Sequence, residues 1–262
     1  MSSTPGCAFD GMADDYDRSF TATGVGRALR GIVWSHLDRV FQGCRSILEL
    51  GCGTGEDAIH LASSGARVLA LDSSSRMLGI AAAKARRAGC EDRIEFRCIP
   101  MEQMAAYLAG RRFDGVLSNF GAVNCVAGLP RLAADVAGRL TPGAPLVWVV
   151  MGKYAPWEWV WYLAHGSWRK AVRRLTAGGA RWRGMTIHYP TPAQMAAVLE
   201  PHFSVRRLSA LGGVLPPGFA GGWLERSPRM LAGLTWLEKR AHRIRWLAGL
   251  ADHYIVEAVR RP

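Results

Sequence analysis

From residue 45 onward, short apolar runs alternate with stretches of helical period. Residues 45–50 (RSILEL) and 67–71 (RVLAL) are near-continuous apolar runs of strand length. Between them, residues 56–64 place apolar side chains at 58, 59, 61 and 62 and stop at Gly65, which predicts a helix. The rhythm repeats with an Ala-rich helix over 75–88, a strand over 94–98 and a short helix over 102–109. A strand over 113–118, a helix over 129–140 and a strand over 144–151 complete it. Apolar strands separated by helices predict a mostly parallel sheet covered on both faces, with ligands at the strands' C-terminal edge.

After Met151 the rhythm breaks. Residues 153–190 are rich in Trp and Arg and show no clear strand period. Within them, 156–174 fits a helix with Trp157, Trp161, Leu163, Ala164 and Trp168 to one side, and Arg169, Lys170, Arg173 and Arg174 beyond. Thr191 predicts the cap of a helix running to residue 201, with Pro192 first and Gln194 at capping-box distance. A strand over 203–208, a flexible Gly/Pro-rich loop over 212–222 and a long basic amphipathic helix over 228–250 follow. Residues 252–259 alternate as a final strand that returns to the sheet. The pattern predicts one domain over 1–262: a core over 1–151, with 152–190 and 209–250 as an α-helical insertion and lid on the substrate side.

Composition narrows the class. With 49% hydrophobic and 21% charged residues, the chain is globular, neither disordered nor collagen-like. No run of about 18 uncharged apolar residues is present, so no spanning helix is expected. The first twenty residues hold four Asp and no apolar core, unlike a secretory signal. A cytoplasmic protein is expected. Its cysteines, Cys7, Cys44, Cys52, Cys90, Cys98 and Cys125, form no CxxC pair and sit at no zinc-finger spacing from His. They are expected to be reduced, mostly buried thiols, with no metal site.

The net charge of +12 is unevenly placed. Residues 1–150 hold 16 basic and 15 acidic side chains, whereas 151–262 hold 17 and 6. Nine of the ten Trp lie at or after Trp148. A neutral half precedes a basic, aromatic one.

The most informative segment is Glu49-Leu50-Gly51-Cys52-Gly53-Thr54-Gly55, between a predicted strand and helix. Alternate glycines let the backbone pass close to a ligand, and the helix start offers free N–H donors. The spacing is GxGxG, not the GxGxxG of dinucleotide sites, and no Lys-Ser/Thr follows as in a P-loop. Asp72 ends the next strand, where a carboxylate can accept hydrogen bonds from a ribose diol.

ELGCGTG, then ALDSS, then FDGVLSNFGAV resembles a class I S-adenosylmethionine-dependent methyltransferase of the small-molecule branch. The resemblance is clear over 9–151 and weaker through 191–208 and the last strand. It implies a Rossmann-like, seven-stranded sheet with the last strand antiparallel. S-adenosyl-L-methionine is the implied cofactor and S-adenosyl-L-homocysteine the product. The glycine loop (Glu49, Gly51, Cys52, Gly53, Gly55) would lie under the methionyl part, Asp72 at the ribose, and Ser73 and Met77 beside the adenosine. Where the family often has an Asp near the adenine, this chain has Pro100, so Met101 and Glu102 are the candidates. Asn119 and Phe120 would face the sulfonium side, with the Asn119 carbonyl near the transferred methyl. Tyr16 would close over the cofactor from the lead-in segment.

The D/N-P-P-Y/F motif of DNA amino-methyltransferases is absent, which argues against a nucleic-acid base amine as acceptor. For the acceptor side, His188 is the candidate base and catalytic residue beside Asn119, with Tyr189, Trp157 and Trp161 as pocket candidates. His60 is read as structural, and His165 as facing substrate or solvent. The expectation is methyl transfer to O, N or C of a small, hydrophobic or lipidic molecule. The basic, aromatic segment then has three readings: a lid over that acceptor, a peripheral contact with the inner membrane surface, or, less favoured, a nucleic-acid surface. A non-catalytic cofactor-binding scaffold is the other alternative, against which the intact glycine loop and Asp72 argue.

Overall fold

The computed structural model describes residues 9–262. Seven strands form one sheet in the order β3-β2-β1-β4-β5-β9-β8: β1 (Ser46–Leu50), β2 (Arg67–Asp72), β3 (Ile94–Cys98), β4 (Gly115–Ser118), β5 (Pro145–Met151), β8 (Phe203–Leu211) and β9 (His253–Arg260). The first five run parallel, and β9 is antiparallel to both β5 and β8. The remaining two strands, β6 (Ala180–Trp182) and β7 (Met185–Ile187), form a separate hairpin.

The strands are apolar on both faces because helices cover both. One face carries α1 (Gly24–Val40), α2 (Glu56–Ser63) and α3 (Ser75–Arg87), whose Leu29, Leu61 and Leu78 pack against Ile47, Val68 and Leu117. The other carries α4 (Leu129–Ala137) and α6 (Pro192–Leu199), whose Leu132, Val136 and Leu199 pack against Leu48, Trp148 and Val256. The outer helices α5 (Pro156–Ala164) and α7 (Pro228–Ala241) belong to the basic half. Strand order reverses between β1 and β4, which opens a crevice beyond their C-terminal ends.

The seven-stranded sheet with its antiparallel final strand is as expected, and so is the capping box at α6: Gln194 N–H donates to Thr191 Oγ1 at 3.2 Å, and Thr191 N–H to Gln194 Oε1 at 2.8 Å. The second half differs in four places. The helix expected over 156–174 ends at Ala164, because Gly166 takes a positive φ of 67° and Trp168–Ala171 restarts as a single turn. A hairpin appears in the segment without strand period: its turn residues Arg183 and Gly184 both have positive φ, the geometry that suits a two-residue hairpin turn. Residues 212–222 are not free. The buried Glu238 carboxylate accepts the amides of Gly212, Val214 and Leu215 at 2.9, 2.7 and 2.9 Å, with Gly213 at 3.3 Å. The long basic helix stops at Ala241, where the His242 ring turns inward to the Ala210 carbonyl.

Among the described cysteines all are free; Cys52 and Cys90 are buried, Cys44 and Cys125 half-buried, and Cys98 exposed. Cys7 lies outside the described residues.

Candidate active site

A cavity of about 330 Å³ lies beyond the C-terminal ends of the parallel strands. Its floor comes from the residues directly following those strands: Gly51 and Gly53 after β1, Asp72 and Ser73 at β2, Ile99 to Glu102 after β3, and Asn119 to Ala122 after β4.

The three glycines of the loop do different work. Each has a positive φ, 71° at Gly51, 52° at Gly53 and 80° at Gly55. A Cβ at Gly51 would lie 2.4 Å from Ala122 Cβ, and one at Gly55 would lie 2.7 Å from Ala81 Cβ. Those two are required by packing. A Cβ at Gly53 would meet nothing within 4 Å, although Gly53 lines the cavity. Its bare backbone leaves room for a ligand to approach, which is the fit expected of a cofactor lying on the loop.

Asp72 connects this loop to the next helix. Its Oδ2 accepts the Gly53 amide at 2.8 Å and its Oδ1 the Ser74 amide at 2.8 Å. Burial raises its pKa, partly opposed by those amides. Behind the loop, Asp57 is buried and accepts Arg30 at 2.8 Å, the Trp34 indole at 2.7 Å and the Asn119 amide at 2.8 Å. Glu49 is buried deeper, and its Oε2 has no partner among the described residues. Burial, with Asp57 nearby, pushes its carboxyl well above the usual range. Asp57 and Arg30 thus form a buried ion pair behind the loop, while burial disfavours ionisation of Glu49.

The cover comes from two segments. Phe9, Met12 and Tyr16 approach from the N-terminal side, and Ala180, Arg181, Trp182, Ile187 and Tyr189 from the hairpin and its exit. Phe9 and Trp182 meet with ring centroids 5.5 Å apart. Arg173 also reaches the lining, its Nε 2.7 Å from the fully buried Glu158.

Of the residues singled out from sequence, Tyr16, Gly51, Gly53, Asp72, Ser73, Met77, Met101, Glu102, Asn119, Phe120 and Tyr189 line this cavity. Cys52 lines a small adjoining cleft beside Arg30 and Asp57, where burial and then Asp72 push its thiol up. Glu49 and Gly55 lie behind the loop rather than on the cavity wall. Three acceptor-side candidates are not in the lining. Trp157 turns its indole N–H to the Val214 carbonyl at 2.9 Å, and Trp161 packs on His165. His188 is fixed through its backbone, its N–H donating to the Asn124 carbonyl at 2.7 Å and its carbonyl accepting from Asn124 Nδ2 at 2.6 Å. The Asn119 carbonyl, expected near the transferred methyl, accepts the Ala122 amide at 3.3 Å.

Among the described residues, no histidine lines the cavity. Burial raises the pKa of Tyr16 and Tyr189, and pushes Cys125 up to about 12. Sequence reasoning missed Phe9, Arg173, Arg181 and Trp182. The last two sit on one three-residue strand, too short to show a period, and only the clustering of Trp with Arg marked the segment.

Residues 47–143 match the family model of the methyltransferase domain. Among curated proteins, the chain is 31% identical over 105 residues to the tRNA 5-carboxymethoxyuridine methyltransferase of Escherichia coli (strain K12), covering 38% of this chain and 40% of that protein. It is 34% identical over 152 residues to the demethylmenaquinone methyltransferase of Clavibacter sepedonicus, covering 56% and 59%. The match thus spans less than two-thirds of either relative. The CcbJ methyltransferase from Streptomyces caelestis shares the fold over 100% of both chains, with a TM-score of 0.64 at 14% identity. Among the described residues, no helix is long and apolar enough to cross a membrane.

Proposed function

We propose that this protein transfers a methyl group from S-adenosylmethionine to a small, hydrophobic acceptor. Its strongest support is Gly53, a left-handed glycine on the cavity wall whose missing side chain leaves space for a ligand, held by a carboxylate one strand away. In this reading Gly51 to Gly53 lie under the methionyl part, Asp72 binds the ribose diol, and Met101 and Glu102 border the adenine. Asn119 and Phe120 bound the sulfonium side, and Tyr16 covers it. Asp57 contributes charge from behind the loop, paired with Arg30.

The bound cofactor supplies an electrophilic methyl on a sulfonium with a neutral leaving group. The chain's own task is to hold the nucleophile in line and exclude water. The Phe9–Trp182 contact closes the cavity from above. Arg181 on the cavity wall favours the anionic form of an acidic acceptor, so a phenol or enol that has released its proton to solvent reacts without a histidine base. Such an acceptor is lipophilic, and the protein meets it as a peripheral membrane protein. The relative named a demethylmenaquinone methyltransferase agrees with this substrate class.

The tRNA enzyme among the relatives makes the second outcome concrete. The protein is incubated with methyl-labelled S-adenosylmethionine and either a panel of lipophilic phenols and quinols or bulk tRNA. Label in the organic extract is expected. Label in tRNA, with none in the phenols, would overturn the small-molecule reading.

A further inference from the structure

Charge in the second half of the chain is sorted by depth. Of the six acidic residues in 151–262, Glu158, Glu238, Asp252 and Glu257 are buried. Only Glu200 and Glu225 reach the surface, and both are engaged, Glu200 by Arg261 at 3.0 Å and Glu225 by the Gly24 amide at 2.5 Å. Of the 17 cations only Arg174 is buried. The surface field is therefore more positive than the segment's net charge states.

The same half exposes apolar helix faces. On α5, Pro156, Val160, Leu163 and Ala164 stand at helical spacing and are all exposed, Val160 by 62% and Leu163 by 59%. No charged residue interrupts that face, while Glu158 points inward to Arg173 and Arg174. On α7, Leu231, Leu234 and Glu238 face the protein, and Met230, Trp236 and Leu237 face out beside Arg229 and Arg240. Both helices are fastened to one loop. Trp157 donates to the Val214 carbonyl, Tyr162 stacks on the half-exposed Phe219 with centroids 5.4 Å apart, and Glu238 holds the loop's amides.

We propose that α5, Phe219 and the outer face of α7 form a docking surface for a bilayer carrying anionic lipid. The aliphatic side chains decide between partners. Nucleic acid is held by cations and stacked rings, and gains nothing from Val160, Leu163 or Leu237. A bilayer interface uses all three kinds: aliphatics enter the acyl boundary, indoles sit at headgroup level, and cations meet the phosphates. A second copy would bring the same positive field and be repelled. The surface extends the lipophilic-acceptor reading without depending on it.

The full chain is floated with phosphatidylcholine vesicles, with and without phosphatidylglycerol. Flotation with the anionic vesicles is expected, with a loss of at least about tenfold in the double variant Val160→Asp/Leu163→Asp. Arg229→Glu/Arg240→Glu should lose about fivefold per charge, on anionic vesicles only. None of these residues lines the cavity, so titration with S-adenosylhomocysteine reports folding of each variant. A wild-type protein that stays soluble with both compositions would overturn the proposal, as would a double Asp variant that floats equally well. A dimer that the double Asp variant dissociates, without flotation, would assign the face to a second copy. Failure of the wild type to bind S-adenosylhomocysteine would instead remove the cofactor reading and leave the flotation result standing.

Discussion

Asp72 accepts the Gly53 amide at 2.8 Å, so the ribose-side carboxylate and the glycine loop are one mechanical unit. Replacing Asp72 by Ala removes a charged acceptor and releases the loop together. Hydrogen bonds to a charged group contribute about 1.5–3 kcal/mol each. Asp72→Ala should weaken S-adenosylhomocysteine binding by about 10- to 100-fold by calorimetry. Wild-type affinity in this variant would remove Asp72 from the site. Because burial raises the Asp72 pKa, the ionised form is lost at a higher pH than for an ordinary carboxylate. Affinity should accordingly decline on the acid side earlier than a free Asp would predict.

Two neighbouring glycines should fail differently. Gly51→Ala forces its Cβ within 2.4 Å of Ala122 Cβ and should cost about 1–3 kcal/mol of stability. Gly53→Ala meets open space and should cost only the left-handed strain, about 1 kcal/mol. Its effect should fall on ligand binding. Thermal melts paired with S-adenosylhomocysteine titration separate the two, and equal affinity in Gly53→Ala would mean nothing lies against that backbone.

Glu238 is fully buried and anchors four successive amides of the loop starting at Gly212. Glu238→Ala leaves those donors without their acceptor and should cost at least about 3 kcal/mol in denaturant unfolding. A cost below about 1 kcal/mol would mean that water replaces the carboxylate freely.

Between α1, α7 and β9, His36 bridges Glu257 and His242, with Arg39 also on Glu257 at 2.5 Å. Burial first, then the nearby charges of His36 and Arg207, lower His242 to about 4. Below about pH 6.5 the unfolded chain takes up a proton that the folded ring refuses. Stability should therefore fall as pH drops from about 6.5 toward 4, by about 2 kcal/mol at pH 5. Burial pushes Glu257 up, but the hydrogen bonds from His36 and Arg39 outweigh it and hold it at about 2. Its contribution is present above the ordinary Glu pKa and is lost as pH falls from about 4.5 toward 2. Unfolding curves for wild type and His242→Gln should converge in slope only above about pH 6.5. A flat wild-type profile from neutral pH to about 5 would contradict the buried neutral ring.

The first half was legible because its strands are apolar on both faces and its loop glycines fall at fixed spacing. The spacing could not say that Gly51 and Gly55 serve packing while Gly53 faces the cavity, since that depends on Ala122 and Ala81 arriving from elsewhere in the chain. Thr191 and Gln194 were readable because a capping box is local. The place of Trp157 was not readable for the opposite reason: its indole partner is Val214, 57 residues away. The hairpin was hidden by three-residue strands and an Arg-Gly turn in place of the usual Asn-Gly. His188 sits next to the lining Tyr189, yet its backbone is tied to Asn124 and its ring is not on the wall.

The central claim is that the cavity over Gly53 and Asp72 holds S-adenosylmethionine. Calorimetric titration of the full chain with S-adenosylhomocysteine tests it most directly. Saturable one-to-one binding is predicted, abolished or strongly weakened in Asp72→Ala and Gly53→Ala while both variants still melt cooperatively. A folded wild-type protein that binds neither S-adenosylhomocysteine nor S-adenosylmethionine would contradict the account.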